Sequence, residues 1–223
     1  MPLMIILVLV AFGLTIWAQF KVKSTFKKFT SEIASSGMTG AEVARRILDQ
    51  NGLHDIPVEP VPGKLTDHYD PMARAVRLSE PVYYENSISA VSVAAHECGH
   101  AIQHKEAYGA LVLRHKMFPV TNFASGIAPL LLIAGLLLKM GGLLLIGIIL
   151  FSAAVAFQIV TLPVEFNASS RAKNILLSQG MISNLEERGV SKVLNAAAMT
   201  YVAATLYAIM ELIHFVLLFL NDD

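Results

Sequence analysis

Four runs of apolar residues limit what this chain can fold into. Leu3 to Phe20 (LMIILVLVAFGLTIWAQF) carries no charge, nor does Phe118 to Leu138 or Gly141 to Pro163. Thr200 to Leu220 is interrupted only by Glu211 and His214. An apolar segment of about 20 residues matches the hydrocarbon thickness of a bilayer. Only Lys139 and Met140 separate the two middle runs, so these read as a helical hairpin. Four transmembrane helices are expected, and the hydrophobic share of 55% agrees with that, being high for a soluble domain of this length.

The first run reads as an anchor rather than a cleaved signal. No lysine or arginine precedes it, no small-x-small site follows it, and its flank is the basic KVKSTFKK. Of the 17 lysines and arginines, 12 fall in residues 21–117 and four in 164–199, which places both polar stretches on the cytoplasmic side. The expected layout is therefore a transmembrane anchor (1–20), a cytoplasmic region (21–117), a transmembrane hairpin (118–163), a helical segment (164–199) and a last transmembrane helix with its tail (200–223). Net charge is zero and no basic stripe is interleaved with aromatics, which argues against nucleic acid as a partner. The single cysteine, Cys98, excludes an internal disulfide framework and a four-cysteine zinc module.

Within the first polar stretch, MTGAEVARRILDQNGL predicts a helix opened by a Thr39–Glu42 capping box, with Val43, Ala44, Ile47 and Leu48 as its apolar stripe and Gly52 as its stop. DIPVEPVPGKL is too rich in proline for a central strand and suits an edge or an extended loop. Asp70 to Ala73 (DPMA) carries a hairpin turn signal, and Ala73 to Ser79 reads as the strand that follows it. In the second polar stretch, two short helices are expected, split at Gly180.

The chemistry is concentrated in AAHECGHAIQH, residues 94–104. An apolar lead-in, with Asn86 as a candidate cap, predicts a helix there. Residues four apart on a helix stand one turn above each other, so His96 and His100 project from one face. Neutral imidazole is a preferred zinc ligand. Glu97, one residue round, falls beside such an ion, where it can act as general base toward a zinc-activated water. This is the His-Glu-x-x-His pattern in its helical setting. A buried His-Glu-His set with no metal would be costly. Gly99 in mid-helix costs about 1 kcal/mol relative to alanine, which signals a close backbone approach. His104 continues the series but lies about 6 Å further along the axis, too far to share a tetrahedral ion. Cys98 falls on the back of the helix, as packing.

Two histidines require a third protein ligand. Glu165 in LPVEFNASSRAKNIL is the candidate: Pro163 ends the third span, and Ala168, Ser169 and Ala172 make a small-residue face that could lie against the motif helix. Glu165 is also the kind of carboxylate that a helix N-terminus favours without any metal.

These residues resemble a family. His-Glu-x-x-His with a downstream glutamate is similar to the membrane gluzincins of the HtpX and CAAX-prenyl endopeptidase type, whose second motif is Glu-x-x-x-Asp. More closely, LTDHYDP, RLSEPVYY, AAHECGHAIQ and LPVEFNAS resemble the YugP-type neutral zinc metallopeptidases of bacterial membranes, over nearly the whole chain. The resemblance implies Zn2+ held by His96, His100 and Glu165, with Glu97 as general base. Ser169 stands where Glu-x-x-x-Asp has its aspartate, which normally orients a ligand histidine.

The expected fold is a mainly α integral membrane protein with about four transmembrane helices and a small α+β gluzincin-type catalytic region. The expected function is a zinc-dependent endopeptidase of the bacterial cytoplasmic membrane, its catalytic side cytoplasmic, acting on peptides or membrane proteins. The sequence leaves the oligomeric state open. An extended substrate would pair with an edge strand, for which Ala73 to Ser79 is the candidate. His68, Tyr69, Tyr83, Tyr84, Arg171 and Tyr201 are chemically able to stabilise an oxyanion. Glu211 and His214, three apart in the last run, either pair with each other or serve a function. A site-2-type intramembrane protease is disfavoured because the later spans hold no aspartate, and a histidine-box di-iron enzyme because the seven histidines are scattered. The rival is a non-catalytic zinc scaffold, transporter or chaperone; a structural site is closed and needs no base, so Glu97 favours the enzyme.

Overall fold

The computed structural model describes residues 2–221. The chain is mainly helical: α1 (Pro2–Thr30), α2 (Gly40–Gln50), α3 (Glu80–Tyr84), α4 (Ile88–Lys105), α5 (Gly109–Leu137), α6 (Gly141–Ser178) and α7 (Glu187–Asn221), with strands β1 (Val58–Val61), β2 (His68–Asp70) and β3 (Ala75–Ser79). It divides into two compact units, one of Met1–Gln19, Gly109–Pro163 and Met199–Asp223, the other of Phe20–Tyr108 and Val164–Ala198.

The first unit holds the apolar parts of α1, α5, α6 and α7. These four helices are long and apolar enough to cross a membrane, and at most 28% of each apolar stretch is buried by protein. Helices that are apolar all round and yet uncovered need lipid as their solvent. The α5–α6 hairpin is tight because it lacks side chains at two points. A β-carbon on Gly135 would lie 2.6 Å from the Leu144 nitrogen, and one on Gly147 would lie 2.9 Å from the Leu132 nitrogen. Lys139, in the turn, takes a positive φ of 51°.

Two expectations about these helices are corrected. The helix of the third apolar run does not stop at Pro163, and residues 164–199 are not two short helices. Helix α6 runs through Pro163 to Ser178, and α7 begins at Glu187, well before the last apolar run. An interior proline removes only one amide, a loss membrane helices tolerate. The break itself is at Gly180, in the left-handed region at φ 64°, as expected.

The second unit is built on α4. Its core joins Val43, Ala44, Ile47 and Leu48 of α2 to Val91, Ala94, Ala95, Cys98 and Ala101 of α4, Ala172 and Leu176 of α6, and Val190 and Val193 of α7. The capping box of α2 is present, Thr39 Oγ1 accepting the Glu42 amide at 3.2 Å and Glu42 Oε2 accepting the Thr39 amide at 2.8 Å. The cap of α4 is Ser87 rather than Asn86. Ser87 Oγ accepts the Ala90 amide at 3.1 Å, while the Asn86 carbonyl is engaged by the Ala34 amide.

The sheet order is β1-β3-β2, with β1 parallel and β2 antiparallel to β3. The β2–β3 turn falls at Pro71–Arg74, as expected. The strand within Ala73 to Ser79, however, is central and buried, so it offers no edge to a substrate. The proline-rich β1 occupies its other side. Pro57 accepts the Val76 amide through its carbonyl, a bond that needs no proline N–H, and an edge strand tolerates the prolines.

A candidate metal centre between two helices

His96, Glu97 and His100 project from α4, whose tight seating against α6 brings Glu165 to them. A β-carbon on Gly99 would stand 2.9 Å from the Ala168 carbonyl oxygen and 3.2 Å from its α-carbon, so glycine is what permits this approach. Ala168 and Ala172 are fully buried. The small residues of both helices thus do one thing: they let a carboxylate one turn from Ala168 reach the histidines.

The trio converges. Glu165 Oε2 lies 3.3 Å from His96 Nε2 and 3.6 Å from His100 Nε2, and the two rings meet edge to face with centroids 4.8 Å apart. Four ligands held tetrahedrally at about 2.0–2.1 Å from zinc stand about 3.3–3.4 Å from one another. The two separations from Glu165 are close to those of a tetrahedral site, and the ligand atoms of all three residues lie within 4.8 Å of one another, so these three could hold a metal ion. The donor set fits as well: a nearly buried carboxylate and two imidazole lone pairs aimed at one point require a cation or protons between them. Burial works against positive charge on His100, yet the Glu165 carboxylate 3.6 Å away and the charge of Glu97 outweigh it and raise its pKa. The surroundings favour a cation there.

Each histidine is also engaged at its far nitrogen. Ser169 Oγ lies 3.2 Å from His96 Nδ1, and Gln103 Oε1 lies 3.0 Å from His100 Nδ1. Such partners fix ring orientation, and their loss typically costs 10–100-fold in metal affinity. Ser169→Ala is accordingly expected to weaken zinc binding about 10-fold, measured by competition with a chelator; unchanged affinity would remove Ser169 from the site.

Glu97 is buried and is engaged outside the trio. Its Oε2 accepts the Tyr69 main-chain N–H of β2 at 2.9 Å, which faces the outer edge of β2 toward this carboxylate. Nothing in the sequence marked that contact, since it is made by backbone. Gln103 was equally missed, although its i+3 spacing from His100 was a usable signal.

The other candidates are drawn elsewhere. His104 Nδ1 lies 2.8 Å from the Tyr69 hydroxyl, not in the trio. Cys98 is packed against α2, its Sγ 3.5 Å from the Ala44 carbonyl, and burial pushes its thiol pKa far up. His68 is exposed and turned to the Thr66 carbonyl, and Tyr83 and Tyr84 pack on each other. Arg171 is held by Asn167 and Glu106. In the first unit Glu211 accepts the Tyr207 hydroxyl at 2.8 Å, and His214 Nδ1 is buried with no hydrogen-bond partner among the described residues, so these two do not pair through that atom.

Comparison with known proteins agrees with this chemistry. The family described as "putative neutral zinc metallopeptidase" is matched over residues 4–220. The "Putative membrane protease YugP" of Bacillus subtilis (strain 168) is 68% identical over 219 residues, which cover 98% of this chain and 97% of that one. No solved structure matches. A match of this extent takes in the histidine helix, the Glu165 helix and all four apolar helices together, and it places the chain in the neutral zinc metallopeptidase family, as an integral membrane protein with zinc as its cofactor.

Proposed function

We propose that this chain is a membrane zinc endopeptidase of gluzincin type, with His96, His100 and Glu165 as metal ligands and Glu97 as general base. The observation that carries this reading is the convergence of His96, His100 and Glu165, with Glu165 Oε2 3.3 and 3.6 Å from the two Nε2 atoms and Glu97 beside them on the same helix. A structural zinc site is closed by a fourth protein ligand, whereas three ligands leave room for water and substrate. When bound, zinc would supply Lewis acidity toward a carbonyl oxygen and would lower the pKa of water. Glu97 would take a proton from the attacking water and return one to the leaving amine as the carbon–nitrogen bond breaks.

The outer edge of β2 is the natural place for an extended substrate, in place of β3. The Tyr69 amide holds Glu97 there, and main-chain pairing along that edge would carry a scissile bond past the base. The basic flank of α1 favours a cytoplasmic face for the site, with residues 21–117 and 164–199 as the catalytic part.

The test is metal dependence of cleavage by the detergent-purified protein. Wild-type protein is expected to carry about one zinc per chain, since the trio offers a single tetrahedral site. It should also cleave an unfolded test protein, lose that activity on chelation and regain it on stoichiometric zinc. Tightly held zinc with no cleavage across a broad substrate panel would favour a scaffold, transporter or chaperone instead.

A further inference from the structure

We infer that Gln103 sets His100 up as a metal ligand, and that it does so by tying the orientation of that ring to the helix bearing Glu165. The inference rests on the ligand set proposed above and adds a residue that the His-Glu-x-x-His pattern does not contain.

Gln103 is 0% exposed, so its amide must find its partners inside the protein. Its Nε2 donates to the Val164 carbonyl at 2.8 Å and to Asn167 Oδ1 at 2.9 Å. Both ends of this arrangement admit only one orientation. A main-chain carbonyl can only accept, so the group facing Val164 is the NH2. On the other side, Arg171 Nε can only donate, and it donates to Asn167 Oδ1 at 2.7 Å, which holds that oxygen in place as an acceptor. Arg171 is itself held by Glu106 at 2.7 Å, at the end of α4. With both Gln103 N–H groups assigned, Oε1 is left facing His100 Nδ1 at 3.0 Å. An amide oxygen accepts, so His100 carries its proton on Nδ1. The lone pair is then on Nε2, the atom directed at Glu165.

The consequence is a coupling between helices. Gln103 stands on α4 three residues beyond His100, yet its two donor bonds go to α6, at residues immediately before and two after Glu165. A shift of α6 that moved Glu165 out of reach would also disturb the bond that sets the His100 tautomer. Ligand position and ligand readiness are thus tied to one side chain. Ser169 plays a looser part at His96, because a hydroxyl can donate or accept and so does not select a tautomer.

A packing role for Gln103 makes different predictions. The full-length protein in detergent, loaded with zinc and labelled with nitrogen-15 histidine, reports through two-bond proton–nitrogen spectra which ring nitrogen carries the proton; His100→Asn assigns the signal. Zinc affinity is measured alongside by chelator competition. Wild type is expected to show the Nδ1–H form at His100. Gln103→Met, of similar length but without an amide, is expected to show a mixed or Nε2–H ring and zinc binding about 10- to 100-fold weaker. Asn167→Ala cuts the link to α6 from its other side and is expected to weaken zinc as well, which keeps the inference testable if Gln103→Met fails to fold.

Wild-type tautomer and affinity in Gln103→Met, or in Asn167→Ala where Gln103→Met does not fold, would overturn the inference. Glu165→Gln separates that result from a failure of the ligand set. If Glu165→Gln loses zinc affinity while Gln103→Met does not, the ligands stand and the positioning role falls. If Glu165→Gln binds zinc as tightly as wild type, the ligand set is wrong and the inference falls with it.

Discussion

Glu97→Gln is expected to keep its zinc and lose peptide cleavage, with kcat falling by about two to four powers of ten. The substitution is close to isosteric, and its amide oxygen can still accept the Tyr69 N–H that holds Glu97 Oε2 at 2.9 Å. The position of the side chain, the β2 edge and the metal trio should therefore be unchanged. What disappears is basicity, since a carboxamide takes no proton from water at any accessible pH. Metal content, steady-state cleavage and thermal unfolding with and without added zinc separate these effects. A variant that binds one zinc, gains stability from it as wild type does and no longer cleaves identifies Glu97 as the base. A variant that still cleaves within ten-fold of wild type would require another group in that role, and His104 and Tyr69 would be the first to test, since they bond to each other and Tyr69 is also the residue holding Glu97.

What the sequence made legible follows from how local each signal is. The apolar helices were readable because a bilayer imposes a length on an apolar run irrespective of its neighbours in the fold. The histidine pair was readable because i, i+4 spacing on one helix is enough to bring two rings within 4.8 Å. Glu165 was half readable: Ala168 and Ala172 announced a close helix contact, but that Gly99 is its counterpart depends on a docking between segments far apart in the chain. Pro163 misled only as a helix stop, because a rule learned from soluble helices was applied at the end of an apolar run, where α6 continues to Ser178. The place of β3 at the centre of the sheet was invisible, because strand order is set by pairing with β1, whose prolines gave no sign that it would take the other side. Gln103 stayed hidden for the same kind of reason. A glutamine near the end of a helix is unremarkable until Val164 and Asn167 are known to face it.

Gly99→Val carries the second large effect, and it tests the docking instead of the chemistry. Even a single β-carbon at this position would lie 2.9 Å from the Ala168 carbonyl oxygen and 3.2 Å from its α-carbon, and those are backbone atoms of a helix that cannot rotate aside as a side chain would. Valine adds two further methyls to that conflict. Relief requires α4 and α6 to move apart, and overpacking of this kind costs about 1–3 kcal/mol. Glu165 lies one turn from Ala168, so the same movement takes its carboxylate away from two nitrogens now 3.3 and 3.6 Å distant. Zinc affinity is expected to fall by about 100-fold, near the top of the range that about 1–3 kcal/mol supplies, with Gly99→Ala falling between that and wild type. Linkage gives the confirming sign: a ligand that binds only the folded state raises its stability with the logarithm of its affinity, so at saturating zinc a 100-fold loss removes about 2.7 kcal/mol of the gain and zinc should raise the unfolding temperature of Gly99→Val less than that of wild type. Wild-type zinc affinity in Gly99→Val would mean that the third ligand does not come from the helix packed on Gly99, and Glu165 would have to be given up.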